Sequence, residues 1–221
     1  MCIRDRYYSS TTQAWTWKRH AGFDVVTYTG DLVAGRQIPH SLNKIPEMLW
    51  VKRRNDPSDW IVWHKGLNGG TNSGQYYMSL NSTAAESSAC YYWNNTTQNS
   101  KTFFTLGGNA SVNGENDTFI AMLFASVDGV SKVGSYSGPG GVVTITTGFQ
   151  PIFIMVKKAN GAGGWHVFDT TRGMGSGNDP LLYLNNTGAQ ITVDYVTPNS
   201  TGWSTTSGNL SEGDYIYYAH A

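Results

Sequence analysis

Apolar residues in this chain fall in short runs, many of them alternating with polar positions and each closed by Gly, Asn, Asp or Ser. That pattern predicts strands joined by turns. In the central part of the chain the candidates are Asp24–Gly30, Arg36–Ser41, Glu47–Arg54, Trp60–Lys65, Gln75–Asn81, Ala89–Trp93, Lys101–Leu106 and Thr118–Ser126. Between them, positions 55–59, 66–74, 94–100 and 107–116 are rich in residues that tolerate positive φ or build side-chain turns. No segment shows capped helical periodicity, and parallel strands need helical crossovers, so an α/β fold is excluded. Along Trp60–Lys65, Trp60, Val62 and His64 share one face and Ile61, Trp63 and Lys65 the other. Both faces are mostly apolar. Such a strand is central, covered on both sides or leading into a contact between neighbouring units.

The same pattern returns about a hundred residues later. Tyr28 within 25–30 matches Tyr136 within 132–138, and 45–53 (IPEMLWVKR) matches 150–158 (QPIFIMVKK). Residues 55–63 match 160–168, aligning Trp60 with Trp165, and 77–81 match 181–185. Residues 117–125 match 213–221. Blocks recurring in one order are the signature of tandem repeats. The expected architecture is all-β: tandem β-sandwich repeats, jelly-roll or lectin-like, of about a hundred residues and about eight strands each.

This reading divides the chain into residues 21–127 and 128–221 as two sandwich repeats. Residues 7–20, with Thr12 to Lys18 ahead of Tyr28, read as the closing strand of a truncated preceding copy. Residues 1–6 (MCIRDR) look like a translated transposon end from sequencing-library preparation, and are set aside as a scar. Cys2 goes with them, leaving Cys90 in the apolar run Ala89–Trp93, where a buried, inert thiol is expected.

Composition narrows the partners. Charged residues are 14% of the 221, against about 25% in typical soluble domains. Net charge is zero, which gives no electrostatic footprint for nucleic acid. No apolar stretch approaches the ~18 residues of a membrane-spanning helix. The surface is neutral and polar, suited to uncharged partners or to structural duty.

Residues 21–30 (AGFDVVTYTG), 44–65, 148–151 (GFQP) and 215–219 (YIYYA) resemble a tandem-repeat family of uncharacterised proteins from tailed, often marine, bacteriophages and from metagenomic sequence. The resemblance runs from Tyr7 to Ala221. It implies a virion-associated, tail-fibre-like adhesin or structural module, located on the virion or otherwise extracellular. Its partners would be host surface glycans or other virion proteins, with homo-oligomer formation left open. The family carries no established catalytic residue or ligand.

The residues themselves point away from catalysis. Glycoside hydrolysis needs two carboxylates facing across the cleaved bond, and no Glu-x-Asp-x-x-Glu spacing occurs. Glu47, Glu86, Glu115 and Glu212 stand isolated, and Asp169 aligns with His64, so no acid or histidine position is shared there. There is no Gly-x-Ser-x-Gly elbow, no metal-ligand spacing among the histidines and no phosphate-loop ending after 66–74. The chain is therefore expected not to be an enzyme and to need no cofactor. Calcium remains an option through the loop oxygens of Asp56–Asp59 and Gly177–Asp179.

Aromatic residues are the best binding candidates. Sugar rings stack on exposed indole and phenol faces, and Tyr76, Trp93 and Trp203 lie near loops. Trp50, Trp60, Trp63 and Trp165 lie inside apolar strands, where core packing is expected. Lys52, Arg54, Lys157 and Lys158 recur at the end of one strand, as a solubilising terminus or a contact for anionic polysaccharide. Three functions follow in order: a glycan-contacting adhesin, a ligand-free spacer or decoration repeat, and a polysaccharide depolymerase.

Overall fold

The computed structural model describes residues 13–175, 177–206 and 208–221. The scar and the first part of segment 7–20 lie outside them. The first half forms β1 (Phe23–Thr29), β2 (Arg36–Pro39), β3 (Met48–Arg53), β4 (Trp60–His64), β5 (Tyr76–Ser79), β6 (Ser87–Ser88), β7 (Phe103–Leu106) and β8 (Thr118–Phe124). The second half forms β9 (Ser131–Pro139), β10 (Thr144–Thr146), β11 (Phe153–Lys158), β12 (Trp165–Asp169), β13 (Asp179–Tyr183), β14 (Ile191–Val193), β15 (Val196–Asn199), β16 (Gly202–Thr205) and β17 (Glu212–His220). The chain is all-β, and every strand pair is antiparallel. Among the described residues no helix is long and apolar enough to cross a membrane, which does not bear on β-barrels.

Two six-stranded sheets dominate. Their orders are β1-β8-β3-β4-β5-β6 and β9-β17-β11-β12-β13-β14, the same path through the strands of each half. Smaller sheets, β2-β7 and β10-β16-β15, accompany them. Side-chain alternation shows how the layers stack. In β3, Leu49 and Val51 pack with Ile38, Phe104 and Leu106 of the small sheet, while Met48 and Trp50 face the other way. In β11, Ile154 and Val156 pack with Ile145, Val196 and Trp203, while Phe153 and Met155 face the other way. The residues facing the other way in the two halves form one shared core. Each large sheet is thus covered by its small sheet outside and by the opposite large sheet inside. That is why β3, β4, β11 and β12 read as apolar on both faces.

The halves are joined by a tight reversal. Val127 bridges Ser131, and Gly129 takes φ 69°, a left-handed value that glycine adopts without strain. The halves approach closely at Gly66, where an added Cβ would sit 2.6 Å from the Ser135 Cβ. Hydrogen bonds cross the seam: Trp165 Nε1 donates to Ser79 O (3.0 Å), Glu86 N to Ala159 O (2.8 Å) and Gly163 N to Thr83 O (2.9 Å). His64 is wholly buried there, its Nδ1 accepting from Gly66 N (2.9 Å) and its Nε2 lying 3.3 Å from Tyr217 O.

Three expectations need correction. Ala89–Trp93 is not a strand: Asn94 and Asn95 take positive φ, and Asn95 N donates back to Cys90 O, closing a turn. That turn leaves Cys90 exposed rather than buried. Gln13–Lys18 forms no strand. It is held by its side chains rather than by a ladder: Trp17 packs on Phe23, Phe124, Phe153 and Tyr218, and Trp15 on Phe153.

Candidate functional site

The site grows from the end of the shared core. Trp50 on β3 pairs with Met122 on β8, and both project to the inner side. Trp60 opens β4 on the same face, opposite Lys52 in register. Leu80 follows β5 and is tied to β4 by its N–H to Trp60 O (2.9 Å). Phe153 and Leu184 come from the second half, and Trp15 and Trp17 from the N-terminal segment. Together with Asn81 these residues line a cleft of about 330 Å³. Cavities of this order hold small ligands through apolar walls and a few polar groups. Among the described residues that line it, Asn81 is the one with an amide, hydroxyl or charged side chain. Trp15, Trp17 and Trp60 are half-buried, so their rings reach the cleft, whereas Trp50 is 7% exposed. The Trp50 indole N–H has no acceptor among the described residues.

The arrangement is one-sided. Trp165, the counterpart of Trp60, is buried with its indole N–H satisfied by Ser79 O. Trp60 N donates to Asn81 Oδ1 (3.0 Å) and Trp165 N to Asn185 Oδ1 (2.7 Å), so both halves build this corner alike. Only the first leaves its indole open. Asp169, aligned with His64, explains the N-terminal anchor. It is buried and accepts from Trp15 Nε1 (3.0 Å), Arg172 Nε (2.6 Å) and Arg172 N (2.9 Å), while the Arg172 guanidinium lies 5.7 Å from the Trp15 ring centre.

The residues expected from sequence are scattered. Trp93 and Trp203 are fully buried, in the outer cores of the first and second halves. Trp93 lies under the 89–95 turn with its indole N–H on Tyr76 O (3.0 Å), so its nearness to a loop gave no exposure. Tyr76 is half-buried against the shared core. Lys157 is fully buried, because the second half's strand end is covered by the Glu86 segment of the first. Its Nζ donates to Lys158 O (2.7 Å); burial pulls its pKa down to about 8 against the opposing field of Glu86. Lys158 is half-buried and Arg54 exposed. Lys52 Nζ is engaged by Asp56 O and Ser58 Oγ (both 3.2 Å). By alternation Lys52, Lys157 and Tyr76 stand on the inner faces of β3, β11 and β5, yet none of the expected residues lines the cleft. Trp15, Trp17, Trp50 and Trp60 were not among the expected site residues. The Trp-Thr-Trp spacing was the available signal, since i and i+2 share one side of an extended segment.

The loop acids considered for calcium already have partners. Asp56 accepts from Arg53 (2.7 Å) and Asp59 from Asn81 Nδ2 (2.8 Å). Asp179 is buried and accepts from the backbone N–H groups of Gly175, Tyr195 and Val196 (3.2, 2.9 and 2.9 Å). Asp179→Ala strips three donors of their acceptor. At ~1–3 kcal/mol per unsatisfied buried group, it will cost about 3 kcal/mol or more in urea unfolding, with calcium giving no rescue. Among the described residues no group of three His, Cys, Asp or Glu side chains could hold a metal ion.

Searches of the curated proteins and of the solved structures found no match. A single family model matches residues 8–221, spanning both halves and the segment carrying Trp15 and Trp17. The chain belongs to this family, described as a domain of unknown function, DUF7483.

Proposed function

We propose that the chain is a non-catalytic carbohydrate-binding module, an adhesin component of a tailed-phage virion, built from two copies of one β-sandwich repeat packed face to face. The observation that carries the binding reading is the tryptophan-lined cleft. Indole faces offer large, rigid contact area to the apolar faces of sugar rings. Among the described residues the lining holds no carboxylate, whereas hydrolysis of a glycosidic bond by facing acids needs two.

The two-copy reading rests on recurring detail. Tyr28 and Tyr136 each stack on a β8 or β17 ring (5.1 and 5.0 Å between ring centres). Each donates its hydroxyl to a backbone carbonyl just ahead of that strand, Val112 O (2.6 Å) or Leu210 O (2.8 Å). Asn55 with Asp117, and Asn160 with Asp214, make the same side-chain pair. The virion setting rests on the sequence resemblance.

The test is a host-glycan array probed with the chain and with Trp60→Ala. Binding by the parent and at least a ten-fold loss in the variant is expected. Sugar binding unaffected by Trp60→Ala would move the site elsewhere. No binding to any glycan or host cell would favour a ligand-free spacer.

A further inference from the structure

Asn81 narrows what the cleft recognises. Its Oδ1 accepts from Trp60 N (3.0 Å) and its Nδ2 donates to Asp59 Oδ1 (2.8 Å). These bonds fix which way round the amide stands. A primary amide has two N–H donors and an oxygen with two lone pairs, so Asn81 retains one donor and one acceptor. Beside it the cleft is indole, phenyl, thioether and leucine. Trp50 borders the same space, more than nine-tenths buried, with an indole N–H that has no acceptor among the described residues.

Resting on the carbohydrate-binding reading above, we propose that the cleft takes an N-acetylhexosamine residue. A plain hexose carries a hydroxyl at nearly every ring carbon, and each one turned toward Leu80, Met122 or Leu184 would lose water without gaining a partner. An acetamido sugar replaces the C2 hydroxyl with an acetamido group, whose terminal methyl suits those side chains. Its amide N–H and the neighbouring C3 hydroxyl form an adjacent donor and acceptor, which match the free Oδ1 and Nδ2 of Asn81. The ring face then lies on Trp60.

The test titrates the full chain with N-acetylglucosamine, N-acetylgalactosamine, glucose and galactose, following tryptophan fluorescence and calorimetric heat. At least one acetylated sugar is expected to bind ten-fold or more tightly than its parent hexose. Asn81→Ala should erase that preference, while Asn185→Ala, the same backbone corner away from the cleft, should preserve it. Equal or tighter binding of the parent hexoses overturns the acetamido assignment and leaves the carbohydrate reading standing. Silence toward all four sugars, joined to a blank glycan array, overturns both.

Discussion

Replacing Phe124 with alanine will lower the free energy of unfolding by about 3–5 kcal/mol, the cost of removing a fully buried ring from a core that cannot collapse onto the space. Phe124 closes β8 and points into the shared core. Its ring lies 4.8 Å from Trp50 and 5.1 Å from Phe23, both of the first half, and 5.1 Å from Tyr218 of the second. It is also 6.0 Å from Trp17 in the N-terminal segment. The truncation therefore loosens the joint between the halves and the wall of the cleft together. Urea unfolding should show a midpoint shift of that size, with fluorescence from the cleft tryptophans moving in the same transition. A loss below about 1 kcal/mol would mean that the two sheets do not share a core.

Acid will destabilise the fold steeply below neutrality, well before carboxylates are titrated. Burial lowers the His64 pKa to about 3 and the His166 pKa to about 4. In the unfolded chain both return to about 6.5. A group whose folded value is depressed binds its proton preferentially in the unfolded state. The stability it contributes is complete above pH ~6.5 and is lost as pH falls toward the folded values. With two such histidines the slope approaches ~2.7 kcal/mol per pH unit between about pH 6 and 4. Below that, Asp24 and Glu47 add to the loss. Burial alone would raise both carboxyls, but hydrogen bonds from Arg19, Ser41 and Val25 to Asp24, and from Lys65 and Ser126 to Glu47, hold them below the usual range. Chemical denaturation at pH 7, 6, 5 and 4 measures the slope. His64→Gln, neutral throughout, should roughly halve it between pH 6 and 5, and an unchanged slope would assign the effect to other groups.

Much of the fold was legible because short-range alternation records burial. The runs containing Met48–Val51 and Trp60–His64 declare two covered faces, and the structure supplies a small sheet for one and the opposite large sheet for the other. The Ala89–Trp93 run misleads for a local reason. Its apolar residues resemble a strand, but the two asparagines after it favour left-handed backbone, and the chain turns back before pairing. The cleft was not legible. Alternation shows that a face is covered without showing where the cover ends, and that limit is set by how two sheets distant in sequence lie against each other. Lys157 belongs to the same class: its neighbours 153–158 match 48–53, yet a segment of the other half buries it and leaves Lys52 at a strand end.

The core shared between the halves also sets a timetable for synthesis. Met48, Trp50, Val62, Met78 and Phe124 are complete once β8 has been made, but their cover comes from Phe153, Met155, Trp165, Val167, Ile216 and Tyr218. Translation proceeds at ~5–20 residues per second. The roughly 90 residues after the Val127–Ser131 turn therefore take about 5–20 s, and for that time the nascent first half presents a broad apolar sheet to the cytosol of the cell that makes it. A ribosome that stalls in the second half would hold that sheet open.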